Sequence, residues 1–475
     1  MYRNKGTITV FLSLISMLFL SLFCTMAESV RVQAARFQAA AAFDMGLFSI
    51  FGEYDRVLLE EYDLWFLDGS SEEQKIREVL ETKLEKYIQP NINPRYNLAA
   101  GRSWDVFPTE LDRCTVDKYA LATDHGGQVF YSQAVENQKE LFVGEAASAL
   151  KKNIKQMEEG HQKGEEYQNE EQKADEEYQR AQAAQMEEKK RQESEKENAE
   201  KQEESDTDIK ETEAVQAKVE NPLDQIKKIK SMGILGLVLK DGTVVSDKTI
   251  ERKNLPSERN LQKGSLLVNE ISADPVSEAI FLNYLQKHFQ CAVDEGGKHQ
   301  KGSKEHSLSY ELEYIIGGQK SDRENLKKTV NRILLIREGM NYATLAKSAK
   351  MRGEAMALAA AITGAAALPE FAGALQKLLM LAWAYGESLL DVRTLLAKGK
   401  VPMLKAETEW KLPLEKLGML AEVLKECDAG GGNGQSYEDY LSGLLILGKK
   451  QQRNLRVLDL IECNRRMEKG GETFR

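Results

Sequence analysis

Several patterns that would identify an enzyme or a metalloprotein are missing from this chain of 475 residues. None of its five cysteines lies in a CxxC pair, which excludes a structural zinc ribbon. P-loop, HExxH, GxSxG and EF-hand patterns are also missing. The five histidines show no metal-ligand spacing. We therefore predict no catalytic residue, no cofactor site and no metal site, and we expect that the protein is not an enzyme.

The chain also has few prolines and no excess of positive charge. Nine prolines are fewer than half of the usual ~5%, which favours a helix-rich chain. The chain has 65 basic and 75 acidic residues and a net charge of -10. Because nucleic-acid binders usually present a basic face, this balance argues against a nucleic-acid partner.

Most of the negative charge lies in one tract, residues 151–220, which holds 13 basic and 22 acidic residues and no Leu, Phe, Trp or Pro. Such a composition buries too little apolar surface to offset its ordering entropy. The tract also lacks the apolar heptads of a coiled coil. We predict an exposed helix that passes into disorder and contributes little to the core. Its role would be that of a flexible spacer, an acidic binding face or a tolerated surface insertion.

A run of 20 uncharged residues, 7–26, is long enough to cross ~30 Å of hydrocarbon as a helix. Arg3 and Lys5 precede it, and positive residues favour the cytoplasmic side, although Arg31 and Arg36 oppose this orientation. We predict a cytoplasmic tail (1–6), a transmembrane helix (7–26) and an extracytoplasmic body. A signal peptide cleaved near Ala27 and a lipoprotein modified at Cys24 are the alternatives.

The residues after this run, 27–51, predict a helical continuation that we call the stalk. An apolar face recurs at spacings typical of a helix. We expect this face to pack against the body or a neighbouring subunit. With no Gly or Pro from Thr7 to Met45, the two segments predict one helix about 68 Å long. The residues of the predicted stalk packing face are Val30, Ala34, Phe37, Ala41 and Phe48.

The remaining chain predicts two α+β parts, residues 52–150 and 221–320, and a helical part, residues 321–475. Predicted strands are Thr115 to Ala122, Ile234 to Leu239 and Leu308 to Ile316. The predicted fold class is therefore α+β and mostly helical. It comprises a long N-terminal transmembrane and stalk helix, a small mixed sheet and a C-terminal helical bundle.

Two weaker candidates for chemistry remain in the body. Asp124 and His125 precede two glycines, which predicts either a turn or a catalytic pair. A disulfide among the four cysteines beyond the span and dispersed thiols are both open interpretations. Those cysteines are Cys114, Cys291, Cys427 and Cys463.

Several blocks of the sequence resemble one family. The start of uncharacterised envelope proteins of Gram-positive bacteria with TadE/TadG-like, pilin-type N-termini is similar to KGTITVFLSLISMLFLSLFCTMAESVRVQAARFQAAAAFDMGLFSIFGEYDRVLLEEYDLWFLD. Later blocks of that family resemble ALATDHGGQVFYSQAV, NPLDQIKKIKSMGILGLVL, YELEYIIGGQKSDRENLKKTVNRILLIREGMN and LLMLAWAYGESLLDVRTLLAKGKVPMLK. The resemblance implies an association with tight-adherence (Tad) pilus machinery. Pilin-type signals have a Glu where this chain has Phe11, so we predict no processing between Gly6 and Thr7.

These features favour a single-pass, membrane-anchored extracytoplasmic structural or assembly protein. The resemblance narrows this to a pilin-like accessory component of a Tad-type pilus or secretion system. The expected partners are the membrane and the proteins of an envelope assembly. The alternative is an anchored extracytoplasmic binding or sensing module unrelated to pili, and a cell-wall hydrolase is the third hypothesis.

Overall fold

The computed structural model describes residues 5–68, 76–92, 96–98, 102–104, 109–139, 144–200, 221–266, 274–294, 306–364, 371–427 and 432–468. About 74% of these residues are helical. The helices are α1 (Lys5–Phe51), α2 (Arg56–Tyr62), α3 (Ile76–Ile92), α4 (Asp124–Lys139), α5 (Gly144–Glu200), α6 (Pro222–Ser231), α7 (Ile234–Val238), α8 (Pro275–His288), α9 (Glu311–Gly317), α10 (Asp322–Lys347), α11 (Ala349–Gly364), α12 (Ala372–Leu396), α13 (Leu420–Glu426), α14 (Tyr437–Leu447) and α15 (Lys450–Glu468).

The predicted small mixed sheet is wrong, and with it the α+β class. Helix α7 occupies the predicted strand at Ile234, and α9 occupies most of the one at Leu308. Residues 115–122 are not a strand either. Among the described residues, the only strands are β1 (Tyr96–Leu98) and β2 (Arg102–Trp104), which form one antiparallel hairpin. Short apolar runs suit a buried helix as well as a buried strand, and packing decides between them.

The main core surrounds α10, which packs against α5, α9 and α12. Helix α12 is buried on nearly all sides from Leu375 to Leu395. A helix that is apolar all round needs such enclosure, either by protein or by lipid. Here protein encloses it, as expected for a packed helix rather than a second membrane span.

The charged tract is helical as far as Glu200, but its first half is part of the main core. The buried positions of α5 recur at spacings of three, four and seven residues, as in a coiled-coil seam. The prediction that this tract contributes little to the core is therefore wrong for these residues. Residues 201–220 of the tract lie outside the described residues. The buried seam positions are Asn153, Met157, Gly160, Gly164, Tyr167 and Ala174.

Two glycines explain how α5 approaches α10 so closely. A Cβ atom added to Gly164 would lie 2.7 Å from the carbonyl oxygen of Leu335 on α10. A Cβ added to Gly339 would lie 2.3 Å from the carbonyl carbon of Lys163 on α5. The two backbones therefore touch at a point where neither helix has room for a side chain. The pattern of large apolar residues does not predict this seam, because glycine fills two of its positions.

Candidate functional site: the anchor and stalk helix

Helix α1 is the one helix among the described residues that is long and apolar enough to cross a membrane. Its candidate span lies within Gly6–Phe51, and the most apolar window, with a mean hydropathy of 2.3, has no buried residue. Both Gly6 and Thr7 lie exposed in the first turn. Helix α1 is thus compatible with a single-pass membrane anchor. Residues 1–4 of the predicted tail lie outside the described residues.

The far end of α1 packs on α3 through a small second core. Ala42 and Ile50 are buried there, and a Cβ atom on Gly46 would lie 2.5 Å from Cγ1 of Ile88. The amide of Gln38 donates a hydrogen bond of 2.9 Å to the carbonyl oxygen of Asn91. One stripe with small side chains at its centre therefore fixes the stalk to the protein.

The predicted stalk face lies elsewhere on the helix. Val30 is 67% exposed, Phe37 is 76% exposed and Phe48 is 83% exposed, whereas Ala34 and Ala41 are half-buried. Its large apolar residues thus do not pack against their own body among the described residues, and packing against another subunit stays a prediction. The spacing identified an apolar face, but α1 has two such faces. The face with smaller residues forms the contact with α3, because small side chains allow the two helices to approach more closely.

The segment after α1 is tied to the main core by polar contacts. Arg465 on α15 forms ion pairs of 2.6 Å with both Asp55 and Asp68. The Tyr284 hydroxyl donates a 2.8 Å hydrogen bond to the carbonyl oxygen of Tyr62, which is itself buried. The stalk therefore meets the body through a fixed connection.

The Asp124–His125 candidate is a turn. His125, Gly126 and Gly127 have φ angles of 51°, 69° and 83°, a conformation that favours glycine. The Asp124 carboxylate accepts hydrogen bonds from the backbone N–H groups of Leu121 and Gly264, at 2.8 and 2.9 Å. Its oxygens hold backbone in place and do not orient His125, so this pair has a structural role.

An open cleft of about 390 Å³ lies beside α15. At its wall, Nδ1 of His306 lies 2.9 Å from Oε1 of the buried Glu311, and this hydrogen bond raises the pKa of His306 even though burial opposes it. Burial raises the pKa of the Cys463 thiol to about 12, so that thiol stays protonated. The Ser307 hydroxyl donates to Asn464, at 2.7 Å. Neither Cys463 nor Ser307 is thus arranged as an activated nucleophile.

All five cysteines are free thiols, so the disulfide interpretation is not supported. The sulfur of Cys291 lies within 4.8 Å of carboxylate oxygens of Asp294 and Glu438. However, the N–H of Cys291 donates to Asp294 at 2.9 Å, and burial raises the pKa of the thiol far above its usual value. Cys291 and Asp294 thus form a hydrogen-bonded turn beside Glu438 of α14, and the thiol is neutral.

Sequence reasoning missed a buried charge network between α10 and α12. The Arg337 guanidinium donates to Asp391 at 2.8 Å, and Lys405 lies 2.5 Å from the other oxygen of Asp391. Lys405 also pairs with Glu387. Burial disfavours the charged form of Asp391, but the two cations outweigh burial and hold its pKa below the usual value. The sequence indicates this network only through Glu387 and Asp391, two acids four residues apart in an apolar helix.

Residues 212–475 match a family described as a family of unknown function (DUF5702), which covers more than half of the chain. The matched region begins after α5 and contains α6 to α15. No curated protein and no solved structure matches the chain. The anchor helix and α5 therefore lie outside the family match, although α5 packs into its core.

Proposed function

This chain belongs to the DUF5702 family of unknown function, and we propose that it is a membrane-anchored structural or assembly protein with an extracytoplasmic body. The observation that carries this proposal is the division of α1. Its first half is apolar and unburied, and its second half is held by α3 on one side only. On the other side, Phe37 and Phe48 extend into solvent. A helix of this kind both anchors the body and offers a face to a neighbouring subunit.

We further propose a pilin-like accessory role in a Tad-type pilus or secretion system. The support is the resemblance of the N-terminal blocks and the division of one helix between lipid and protein. Genes for a secretion ATPase and a prepilin peptidase beside this gene would strengthen the proposal. The proposal includes a non-enzymatic role. It is supported by the pairing of charges in the buried network between α10 and α12 and by the neutral thiol of Cys463.

Two aspartate substitutions on opposite sides of the stalk test the assembly role. Phe37→Asp places a charge in solvent, so the thermal unfolding of the monomer should not change. Ala42→Asp buries a charge against α3, which costs several kcal/mol and lowers the melting temperature. We expect Phe37→Asp to insert normally and to lose its crosslinked, detergent-resistant complexes in intact cells.

The comparison separates assembly from folding because only Ala42→Asp disturbs the α1–α3 contact. If Phe37→Asp keeps the complexes of the wild-type protein, the exposed face is not an assembly surface. In that case α1 would be a simple tether.

A further inference from the structure

Four cationic side chains converge on the C-terminal end of α9. They come from three separate stretches of the chain. Lys328 and Arg332 lie one turn apart on α10, Arg456 lies on α15, and Arg252 lies in the loop that precedes α8. All four are half-buried. The sequence alone places only two of them close together, because Lys328 and Arg332 are four residues apart on one helix.

Each of these cations donates to carbonyl oxygens in the last turn of α9 or just after it. Lys328 donates to Gly317 at 2.8 Å, and Arg456 donates to Ile315 and Ile316 at 2.9 Å. Arg252 donates to Gly318, and Arg332 has only a long contact of 3.4 Å with Ile316. Capping the carbonyl groups accounts for the position of the cluster, but it does not require four positive charges.

The cluster has more positive charge than its surroundings neutralise. Among the described residues, Glu258 is the one carboxylate in ion-pair contact with these cations, at 2.5 Å from Arg252. Asp459 adds a second negative charge that attracts Arg456 and Arg252, and its two oxygens accept from the Ser257 N–H group and the Tyr314 hydroxyl. A helix C-terminus adds only about half a negative charge. An excess of positive charge is therefore left at this surface.

The titration behaviour of the cluster agrees with this excess. Burial lowers the pKa of Lys328, and repulsion from Arg332, Arg456 and Arg252 lowers it further. Burial and the neighbouring arginines likewise lower the pKa of Arg456. A bound anion would remove this repulsion.

Several donors in the cluster remain available to a ligand. Arg332 uses one N–H group in the long hydrogen bond to Ile316, and no other partner of its guanidinium lies among the residues that the structure describes. The Lys328 ammonium has three N–H groups and uses one of them in its hydrogen bond to Gly317. Four cations around one point suit a multiply charged group better than a carboxylate, whose single charge one guanidinium can satisfy with two parallel bonds.

We propose that this cluster is an anion-binding site for a phosphate group, carried either by a soluble phosphate compound or by a phosphodiester polymer or lipid. Lys328 and Arg332 would contact the phosphate oxygens, and Arg252 and Arg456 would attract the phosphate through their charges. This inference goes beyond the assembly role and does not depend on it, because the cluster and the stalk use different residues.

Adjacent lysines on α10 offer a matched test. Lys328 belongs to the cluster, whereas Lys327 is exposed on the same helix outside it. The full chain in neutral detergent is titrated with inorganic phosphate and with pyrophosphate by calorimetry. We expect Lys328→Gln and Arg332→Gln to weaken pyrophosphate binding about tenfold or more, as for a lost charge-assisted hydrogen bond, and Lys327→Gln to bind normally.

Melting curves without ligand show whether the variants fold. Arg332→Gln should melt like the wild-type protein, because the only hydrogen bond of Arg332 within the described ranges is long. Titrations with soluble poly(glycerol phosphate) and with phosphatidylglycerol nanodiscs then distinguish a polymer from a lipid source. Equal weakening by Lys327→Gln, or no pyrophosphate binding by the wild-type protein, would overturn the proposal. The cluster would then serve only to cap α9.

Discussion

Glu338 on α10 shows how burial alters an acid in this core. It lies near the ion pair between Lys230 and Glu171, with Tyr167 and Tyr385 close by. Burial raises the pKa of Glu338 to about 8, because the attraction of Lys230 does not offset desolvation and repulsion from Glu171. At neutral pH, the folded protein therefore keeps a proton on this carboxyl that the unfolded chain releases.

This proton makes stability depend on pH. Between the ordinary pKa of 4.5 and the folded value of about 8, the native state binds more protons than the unfolded state. Stability is therefore highest below pH 4.5 for this group and falls as pH rises, by up to about 1.4 kcal/mol per pH unit. Urea unfolding from pH 5 to 8 should show a smaller decline for Glu338→Gln than for the wild-type protein.

The same substitution at the exposed Glu354 on α11 is the control. It should leave the pH dependence of unfolding unchanged. Parallel curves for wild type and Glu338→Gln would show that Glu338 is ionised in the folded state.

At the scale of elements, the contact between α5 and α10 is the least expected feature. Glycine at the seam removes side chains and lets the two backbones meet. Tyr167 then reaches across and donates a 3.0 Å hydrogen bond to the carbonyl oxygen of Leu381 on α12. One face of a highly charged helix thus joins two apolar helices, while its other faces remain in solvent.

Alanine substitutions of two helical glycines distinguish the effect of this packing from the effect of helix propensity. Gly164→Ala should destabilise the protein by about 1–3 kcal/mol, because the new Cβ meets backbone of α10. Gly353→Ala on α11 has open space around its Cβ and should stabilise by about 0.5–1 kcal/mol. Denaturant unfolding measures both. A neutral Gly164→Ala would mean that α5 shifts easily away from α10.

Much of the helical content was predictable, since apolar periodicity, N-caps and scarce proline all indicate helices. Ser436, for example, caps α14 by accepting from Asp439. The strands were mispredicted because residues 234–239 and 308–316 are too short for periodicity to distinguish strand from buried helix. The seam of α5 and the cation cluster depend on contacts between distant segments, which one sequence does not reveal.

For the molecule as a whole, orientation across the membrane is the main prediction. The basic tail predicts that the body lies outside. Trypsin added to intact, wall-stripped cells should cut α5 at its exposed positions Arg180, Lys190 and Arg191. Lys155 and Lys163, on the packed half of α5, should be cut much later. Cleavage seen only after permeabilisation would place the body in the cytoplasm.

The anchor itself was predictable because a bilayer imposes a length on any helix that crosses it. Residues 7–26 meet that requirement in the sequence, and α1 is continuous through them. Which side of the stalk faces the body was not predictable, because both sides carry apolar residues.

The continuity of α1 gives the protein a lever arm. Residues 27–51 extend about 37 Å beyond the span at ~1.5 Å per residue. A tilt of about 20°, average for transmembrane helices, swings the far end sideways by about 13 Å. Because α3 packs against that end at Ala42 and Gly46, the body moves together with it. Bilayer thickness, or a neighbouring protein packed against the span, would thereby set the distance of the body from the membrane and the direction in which it faces.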